Sequence, residues 1–277
     1  MIKVGGSLGA DMSRACADIR ALVDRGDSVV VVHGGGAEAD RLADELGRPR
    51  RYLTAPGGRR SRYTDAAALD VLVLGMLGRL KPPLVTELLR LGVRAVGLSG
   101  ADGGMVTARR TPPANVVVDG VRRVVRDDLS GRISAVDAHL PRTLLAAGYV
   151  PVISPPAYDP ESDAGSGGGP GLLNVDADRF AAHLAVALEA DWLIILSNVP
   201  GLLRDAGDPA SLVTEIPCED LAEYLDLAGG RMKVKLRTAG EACLAGVPHV
   251  VLGDGRGPSP VLAARAGAGT TLVKGAR

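Results

Sequence analysis

Short apolar segments alternate with longer stretches of helical periodicity along almost the whole chain, and this alternation limits the possible folds more than any other feature. Several of the apolar segments are hydrophobic throughout, which is typical of parallel strands covered on both faces. The predicted strands are 2–4, 28–33, 95–98, 150–154, 192–197, 249–252 and 270–273. The predicted helices are 12–25, 37–46, 65–91, 137–147, 176–188 and 231–245. The alternation predicts an α/β fold with a mainly parallel central sheet and right-handed crossovers.

Two places depart from this pattern. Residues 115–118 and 121–126 are β-rich and are joined by Asp-Gly at 119–120, which predicts a hairpin with a two-residue turn. Two adjacent prolines at 82–83 lie inside the predicted helix 65–91. Because neither proline has an N–H group to donate, we expect the helix to break or bend sharply there.

The sequence shows no clear boundary between domains. Residues 161–171 are rich in glycine and poor in apolar side chains, which favours a mobile loop but is short for a domain linker. We therefore predict a single domain over 1–277, with a soft division into an acceptor and dimer side, 1–170, and a nucleotide side, 171–277.

Composition excludes several classes of function. Lys and Arg together number 32, and so do Asp and Glu, so the chain has no overall basic field for nucleic acid. Aromatic residues make up only 3%, which argues against a stacking platform for single strands. Cys16, Cys218 and Cys243 are scattered and odd in number, so we expect buried thiols and neither a disulfide framework nor a zinc site.

The sequence offers no sign of a membrane or secretory protein. Its first residues lack a charged region followed by an apolar core, and no apolar run approaches the ~20 residues of a membrane span. The expectation is a cytoplasmic protein without a membrane partner.

Two glycine turns follow the first two predicted strands. Gly5-Gly6 follows the strand that carries Lys3, and residues 34–36 are three glycines after the strand that ends at His33. Bare N–H groups at the carboxyl ends of strands can bind an anion, and the following helix adds its dipole. The alternative is a pair of ordinary sharp turns, with His33 as a packed, hydrogen-bonded residue. Neither turn matches the Walker or the dinucleotide pattern.

Two further clusters place charges at helix starts. Asn174, Asp176 and Asp178 alternate at a predicted helix entry, where Asp176 could equally be an ordinary N-cap. The glycine pair at 229–230 leads into a basic first turn that contains Lys233 and Lys235. Cations are unfavourable at a helix N-terminus, and an anionic ligand would offset this; a solvated basic face is the alternative. The set suits phosphoryl transfer, which depends on positioning and on neutralising charge.

Six motifs occur in the order seen in the amino acid kinase family. They are Lys-Val-Gly-Gly-Ser at 3–7, Val-His-Gly-Gly-Gly at 32–36, Val-Gly-Leu-Ser-Gly-Ala-Asp-Gly at 96–103, Asn-Val-Asp-Ala-Asp at 174–178, Ser-Asn-Val-Pro-Gly-Leu at 197–202 and Gly-Arg-Met-Lys-Val-Lys at 230–235. The chain resembles this family over essentially its whole length. The resemblance implies a three-layer αβα sandwich and an ATP-dependent kinase, with Mg²⁺ bound mainly through the nucleotide phosphates.

The resemblance also implies a role for individual residues. Lys3 and Lys235 would neutralise the phosphates and the developing charge, and Asp178 would hold the two lysines. The residues implied to border the nucleotide or its phosphates are Gly5, Gly6, Gly34, Ser197, Asn198, Gly201 and the extra basic Lys233. Those implied to bind the acceptor are Gly34, Gly35, Arg62, which would grip a carboxylate, and Asn174.

The residues also favour one kind of acceptor chemistry. The sequence offers no candidate general base, such as a His beside a carboxylate. A carboxylate acceptor, with an ordinary pKa near ~4.3, is already ionised at neutral pH and needs no base, whereas a hydroxyl acceptor needs one. We therefore expect an acyl phosphate as product.

An arginine-rich segment favours a protein-bound acceptor. Between 47 and 64 there is no acidic residue. The arginines there are Arg48, Arg50, Arg51, Arg59 and Arg60, besides Arg62 at the acceptor. A free amino acid does not need so many, whereas an acidic protein would use them for steering and bidentate pairing. A solvated surface is the alternative.

Three hypotheses about the function remain open at this point. Details of the motifs look more like the family members that act on 2-aminoadipate held by an acidic amino-group carrier protein, including Asn198 and Asp176 at places where acetylglutamate kinases more often have Asp and Asn. Free N-acetylglutamate is the alternative acceptor, and a catalytically silent nucleotide or amino acid sensor is an alternative of another class. The sequence does not separate carrier-bound aminoadipate from carrier-bound glutamate or a relative. A homodimer is implied only by the resemblance.

Overall fold

The computed structural model describes residues 1–5, 12–54, 60–118, 121–162 and 171–275. Its strands are β1 (Ile2–Val4), β2 (Val31–His33), β3 (Tyr52–Thr54), β4 (Arg60–Arg62), β5 (Ala95–Ser99), β6 (Val106–Arg110), β7 (Ala114–Val118), β8 (Val121–Val125), β9 (Gly131–Val136), β10 (Val150–Ser154), β11 (Ala157–Tyr158), β12 (Leu172–Leu173), β13 (Trp192–Ser197), β14 (Glu215–Pro217), β15 (His249–Asp254) and β16 (Thr270–Val273). Its α-helices are α1 (Ser13–Asp24), α2 (Gly36–Glu45), α3 (Ala66–Val73), α4 (Lys81–Arg90), α5 (His139–Ala146), α6 (Ala177–Ala187), α7 (Leu221–Leu225), α8 (Gly230–Leu244) and α9 (Pro260–Arg265).

Eight strands form one large sheet in the order β14-β16-β15-β13-β1-β2-β10-β5. Every neighbouring pair in it is parallel except β15 with β16. The predicted α/β class with a mainly parallel sheet is therefore confirmed.

Both faces of this sheet are covered by helices, because successive side chains of a strand point to opposite sides. On β13, Leu193 and Ile195 join an apolar cluster with residues of α6 and α8. Ile194 and Leu196 join a second cluster with residues of α1, α4 and α9. The result is the expected three-layer αβα sandwich.

Two smaller four-stranded sheets lie outside this sandwich, in the orders β12-β11-β6-β9 and β4-β3-β7-β8. The predicted hairpin is confirmed as the antiparallel pair β7–β8, with Val118 opposite Val121, although its turn at 119–120 lies outside the described residues. The other strands of these sheets were not predicted. Residues 60–62, for example, are Arg-Ser-Arg and have no apolar alternation that would mark a strand.

The expected break at the two prolines is wrong. The chain stays helical from α3 into α4 through a π-helical segment, Leu74–Leu80. Pro82 and Pro83 fall in the first turn of α4, where a missing N–H group costs little. The N–H of Lys81 reaches the carbonyl of Met76, five residues back, which is the hydrogen bond of a π-helical turn.

The remaining expectations concern a loop, the cysteines and the membrane. Most of the predicted mobile loop, 163–170, lies outside the described residues. Cys16, Cys218 and Cys243 are free and buried, as expected. No helix in the described part of the chain is long and apolar enough to cross a membrane.

Candidate active site

The two glycine turns lie side by side at the carboxyl edge of the large sheet. Strands β1 and β2 are parallel neighbours, with Lys3 opposite Val32 and Val4 opposite His33. The N–H of Gly34 in the second turn donates to the carbonyl of Val4, which directly precedes Gly5 in the first, at 3.4 Å. Gly6 lies outside the described residues. Gly5 and the glycines at 34–36 therefore lie close together at the edge of the sheet where open α/β folds bind ligands.

Asp178 joins two lysines that are far apart in the sequence. The Nζ atom of Lys3 lies 2.5 Å from its Oδ1, and the Nζ atom of Lys235 lies 2.6 Å from its Oδ2. Lys3 is carried by β1, Asp178 by the first turn of α6 and Lys235 by α8. Lys3 and Asp178 are only 5% and 7% exposed, so this cluster is almost withdrawn from water. All three predicted catalytic residues are thus brought together.

The electrostatics of the cluster follow from burial and from these contacts. Burial of Asp178 raises the pKa of its carboxyl, but the charges of Lys3 and Lys235 and their hydrogen bonds outweigh this and lower the pKa to about 2. Burial and the charge of Lys3 lower the pKa of Lys235, although Asp178 counteracts them. Asp178 is therefore ionised at neutral pH, and both of its oxygens face ammonium groups.

Asp176 explains how Asp178 is held. Its Oδ1 accepts hydrogen bonds from the N–H groups of Asp178 and Arg179, each at 3.0 Å, so it is the N-cap of α6. The open question about Asp176 is thereby answered in favour of a cap. The cap begins α6 at a fixed place and so positions Asp178 in its first turn.

Arg62 lies beside the second glycine turn. Its Nη1 donates to Oδ1 of Asp40 at 2.6 Å, and its Nη2 donates to the carbonyl of Gly36 at 3.3 Å. Asp40 was not predicted, because its contact with Arg62 joins a helix to a strand 22 residues away and leaves no local pattern.

Asn174 is anchored by a residue that sequence reasoning also missed. Its Nδ2 donates to Oγ1 of Thr64 at 3.1 Å, and the N–H of Thr64 donates to Asp128 at 2.9 Å. Thr64 is fully buried. It stands two residues after Arg62, so the same short segment fixes both predicted acceptor residues. Its place in Arg-Tyr-Thr-Asp was the available signal.

Two of the predicted glycines are required by packing. A Cβ on Gly35 would lie 2.1 Å from Cγ of Met76 in the π-helical segment. Gly201 has φ +152°, and a Cβ there would lie 2.5 Å from Oγ1 of Thr270. Close approach therefore explains these glycines whether or not they also touch a ligand.

The other nucleotide-side residues divide into two groups. Ser197 is buried at the end of β13 and Asn198 is exposed just after it, so they border the same edge of the sheet. Lys233 is not brought to Asp178: its Nζ lies 3.5 Å from Oδ1 of Asp226, and 43% of its side chain is exposed. Two residues apart on α8, Lys233 and Lys235 face different ways.

The arginine segment is less positive in the fold than in the sequence. Acidic residues from α2 and the start of α3 reach three of its members: Arg50 pairs with Asp44 at 3.2 Å, Arg51 with Asp65 at 3.6 Å and Arg62 with Asp40. Arg48 is exposed, and Arg60 is exposed and stacks on Tyr52 at 3.9 Å. Neither makes an ion pair with another described residue. Arg59 lies outside the described residues.

His33 behaves as a packed residue. It is fully buried, and its Nδ1 donates to the carbonyl of Gly34 at 2.8 Å, since a carbonyl can only accept. Burial lowers its pKa to about 4, against the opposing hydrogen bond to Gly34 and together with the charges of Lys81 and Lys3. The imidazole is therefore neutral at pH 7, in agreement with the packed interpretation.

Comparison with known proteins agrees with this geometry. The sequence profile of the amino acid kinase family matches residues 1–254. The chain belongs to the amino acid kinase family. A protein of Deinococcus radiodurans named [LysW]-aminoadipate kinase is 44% identical over 98% of this chain and 90% of its own length. A protein of the same name from Thermus thermophilus is 41% identical over 98% of this chain and 99% of its own.

Members with another name are also similar. An acetylglutamate kinase of Myxococcus xanthus is 39% identical over 99% of this chain and 88% of its own length. Among solved structures, a protein of Streptococcus mutans superposes with a TM-score of 0.77 at 24% identity, over 99% of this chain and 98% of that one. At that identity the structural likeness supports the fold alone.

Proposed function

We propose that this protein is an ATP-dependent kinase that phosphorylates the side-chain carboxylate of 2-aminoadipate, or of a glutamate-like residue, held by an acidic amino-group carrier protein. The observation that carries the proposal is the position of Asp178 between Lys3 and Lys235, beside two glycine turns. The names of the relatives from Deinococcus and Thermus support the choice of acceptor.

The proposed reaction is an in-line transfer of the γ-phosphoryl group. A bond forms between an acceptor carboxylate oxygen and the γ-phosphorus, the bond from this phosphorus to the bridging oxygen breaks, and ADP leaves with that electron pair. Lys3 and Lys235 would neutralise the charge on the phosphoryl oxygens and the leaving group, while Asp178 keeps both ammonium groups in place. The acceptor is ionised at neutral pH, so no proton has to be removed.

The nucleotide and its metal would be held mainly by phosphate chemistry. Gly5, Gly6 and Gly34 would border the phosphates, with Ser197 and Asn198 at the border of the nucleotide. Asp178 does not fit as a ligand for Mg²⁺, because both of its oxygens already face lysines. The described residues contain no cluster of three acidic, His or Cys side chains that could hold a metal. We therefore assign Mg²⁺ to the nucleotide phosphates.

Arg62 and Asn174 would bind the acceptor. Arg62 lies against Gly36, at the start of α2, and keeps N–H groups beyond those used by Asp40 and Gly36. A carboxylate of the acceptor is the natural partner for these remaining donors. Asn174, fixed by Thr64, would meet the main-chain part of the acceptor.

Two further proposals concern assembly and location. Strand β5 is the last strand of the large sheet and has no partner on its outer side among the described residues. Proteins protect such edges, and pairing with a second copy is one way to do so. We therefore propose a homodimer, to be tested by light scattering, where the mass of one chain at micromolar concentration would contradict it. An enzyme that consumes ATP in biosynthesis would act in the cytoplasm.

The test compares acceptors under identical conditions. ADP release is measured with ATP, Mg²⁺ and either aminoadipate-loaded LysW of Thermus thermophilus, glutamate-loaded LysW or free N-acetylglutamate. Turnover with a loaded carrier at least ~100-fold above that with N-acetylglutamate supports the proposal; the factor corresponds to about 2.7 kcal/mol. Faster reaction with N-acetylglutamate supports the second candidate, which the Myxococcus relative favours. Nucleotide binding without turnover on any of the three acceptors would indicate the silent sensor.

A further inference from the structure

A pocket of about 210 Å³ lies between α2, α3, the segment 48–51 that precedes β3, and the end of β4, next to the predicted acceptor site. Its floor is apolar and includes Ala39, Ala43, Val71 and Leu72, which are buried. Its walls and rim include Arg48, Arg50, Arg51 and Arg62. We call this the arginine-rimmed pocket.

Tyr63 forms one wall of the pocket, and its neighbours hold it in place. The hydroxyl of Tyr63 donates to Oδ1 of Asp127 at 2.6 Å, and the guanidinium of Arg51 lies 4.4 Å from the centre of the ring. Burial and the hydrogen bond to Asp127 raise the pKa of Tyr63 to about 12, so its ring stays neutral. A fixed aromatic wall and an alanine-rich floor form a preorganised apolar surface, which lowers the entropic cost of binding.

The size of the pocket limits what can enter it. Sites for cofactors and drug-sized ligands usually enclose ~300–1,000 Å³, more than this pocket offers. A single large side chain is a better match in volume. The apolar floor favours a hydrocarbon or aromatic group over a charged one.

The rim of the pocket indicates the surroundings of that side chain. Although Asp44, Asp65 and Asp40 each pair with one arginine, Arg48 makes no ion pair with another described residue, and the rim keeps an excess of positive charge. Guanidinium groups around an apolar hole match an apolar side chain that is flanked by carboxylates.

The position of the pocket connects it to the acceptor. Arg62 lines the pocket and also lies beside the second glycine turn, whereas Lys3, Asn174, Asp178 and Lys235 do not line it. An acceptor attached to a carrier must bring the carrier's chain close to the acceptor site. The arginine-rimmed pocket is therefore placed where residues near the attachment point would arrive.

We propose that the arginine-rimmed pocket binds one large apolar side chain of the carrier protein, while the arginines around it bind acidic residues on either side. The inference rests on the proposed function and deepens it: the carrier is recognised by an apolar anchor as well as by charge. Hot spots of protein interfaces are typically such buried anchors, whereas rim charges mainly steer encounter.

The test fills the pocket from α3. Ala67→Leu and Ala68→Leu each place a larger side chain in it, at positions that are only half-buried, and Leu is nearly as good a helix former as Ala. Ala66→Leu is the matched control, because Ala66 is exposed on the same helix and does not line the pocket. Urea unfolding of each variant checks that the fold is intact.

The proposal predicts a specific kinetic pattern with aminoadipate-loaded LysW of Thermus thermophilus. The KM for the carrier should rise about tenfold in at least one pocket variant and less than twofold in the control, while kcat stays within about twofold. The ratio of kcat/KM between variant and wild type should persist when salt is raised from about 0.1 M to about 1 M, because apolar contacts are not screened as charges are.

Three results would overturn the proposal. If the wild type does not phosphorylate any loaded carrier, the proposed function and the anchor fail together. If the wild type does, but both pocket variants match Ala66→Leu, only the anchor fails. If a pocket variant lowers the molar mass measured by light scattering, the pocket is covered by a second copy of this chain and not by the carrier.

Discussion

Asp178 holds two ammonium groups in a place that water hardly reaches. Without a carboxylate between them, Lys3 and Lys235 would repel each other and their burial would be unfavourable. The two ammonium groups and one carboxylate leave one net positive charge, which a bound anion would balance. The stability of the cluster and its chemistry therefore depend on the same three side chains.

Removing either lysine should damage turnover far more than nucleotide binding. Lys3→Ala and Lys235→Ala should each lower kcat on the order of 10²–10³-fold, because each group neutralises charge that develops in the transition state. Lys233→Ala should have a much smaller effect, since Lys233 pairs with Asp226 at the surface. Steady-state kinetics and nucleotide titration on folded variants test this. A kcat within twofold of the wild type for Lys3→Ala or Lys235→Ala would contradict the assignment.

Asp178→Asn should lower turnover and also change the acid stability of the protein. Breaking the buried contacts should reduce the free energy of unfolding at pH 7 by about 3 kcal/mol, which still leaves a protein of ordinary stability folded. The pKa of Asp178 is lowered from 3.8 to about 2, so its stabilising contribution is present above about pH 4 and is lost as the pH falls towards 2.

Urea unfolding of both proteins at several pH values measures that contribution. The wild type should lose stability between pH 4 and pH 2 more steeply than Asp178→Asn, which has no carboxyl to protonate there. Equal slopes for the two proteins, together with full activity of the variant, would make Asp178 an ordinary helix-entry residue.

At the scale of elements, one buried carboxylate joins two of the helices that cover the same face of the sheet. Asp18 on α1 accepts hydrogen bonds from the N–H of Val261 at 2.8 Å and of Leu262 at 3.2 Å, and from the hydroxyl of Ser259 at 2.6 Å. It thus caps α9 from a distance of more than 240 residues in sequence. Nothing in the local sequence around Asp18 marks this role.

Asp18→Ala should therefore destabilise the fold without touching the site. The loss of hydrogen bonds to a charged acceptor at a helix start predicts a decrease in the free energy of unfolding of about 2–3 kcal/mol. The matched control is Asp24→Ala on the same helix, where a solvent-exposed pair with Arg20 contributes little to stability. Urea unfolding of the two variants tests this. Similar midpoints for Asp18→Ala and Asp24→Ala would show that Asp18 does not stabilise α9 as a cap.

The sequence predicts elements well where the local pattern and the tertiary environment agree. Strands β1, β10 and β13 have the predicted bounds because they are largely apolar runs buried on both faces. Strand β16 also has its predicted bounds, although only alternate residues of it are buried. Strand β4 escaped prediction because its pairing with β3, and not its Arg-Ser-Arg sequence, makes it a strand. The predicted helix break at the two prolines was wrong for a similar reason. Helix propensities do not indicate the π-helical segment that precedes them.

The candidate site was predictable in its chemistry and less so in its supports. Lys3, Asp178 and Lys235 stand in motifs, and their convergence follows from the carboxyl ends of strands and the starts of helices. Asp40 could not be derived, because it meets Arg62 only through the fold. Thr64 was marked only by its place in Arg-Tyr-Thr-Asp, and its contact with Asn174 likewise arises from the fold. The acidic residues that pair with the arginines were missed because they come from α2 and the start of α3, outside the segment that was counted.

At the scale of the whole molecule, the division into an acceptor side, 1–170, and a nucleotide side, 171–277, remains a proposal. The arginine-rich segment is the surface that a carrier protein would contact. Arg48 and Arg60 are the informative positions, because both are exposed and neither pairs with a described acidic residue. Arg50 is less informative, since Asp44 already offsets it.

Reversing both charges should weaken the carrier reaction through encounter. Arg48→Glu with Arg60→Glu should raise the KM for the loaded carrier about tenfold at low salt, and the difference from the wild type should shrink as salt screens both proteins over ~8–10 Å. The kcat at saturating carrier should change little. Kinetics at two salt concentrations measure this effect. An unchanged KM at low salt would show that these arginines form only a solvated surface and do not dock the carrier.

The central claim is that the γ-phosphoryl group of ATP passes to the side-chain carboxylate of a carrier-bound amino acid. Hydroxylamine converts an acyl phosphate into a hydroxamate, so the reaction with loaded LysW is run with hydroxylamine and the carrier is analysed by mass spectrometry. We expect one hydroxamate per ADP, located on the side chain of the attached amino acid, and the loss of this product in Lys235→Ala. Release of ADP without any hydroxamate on the carrier, or a hydroxamate formed only on free N-acetylglutamate, would contradict it.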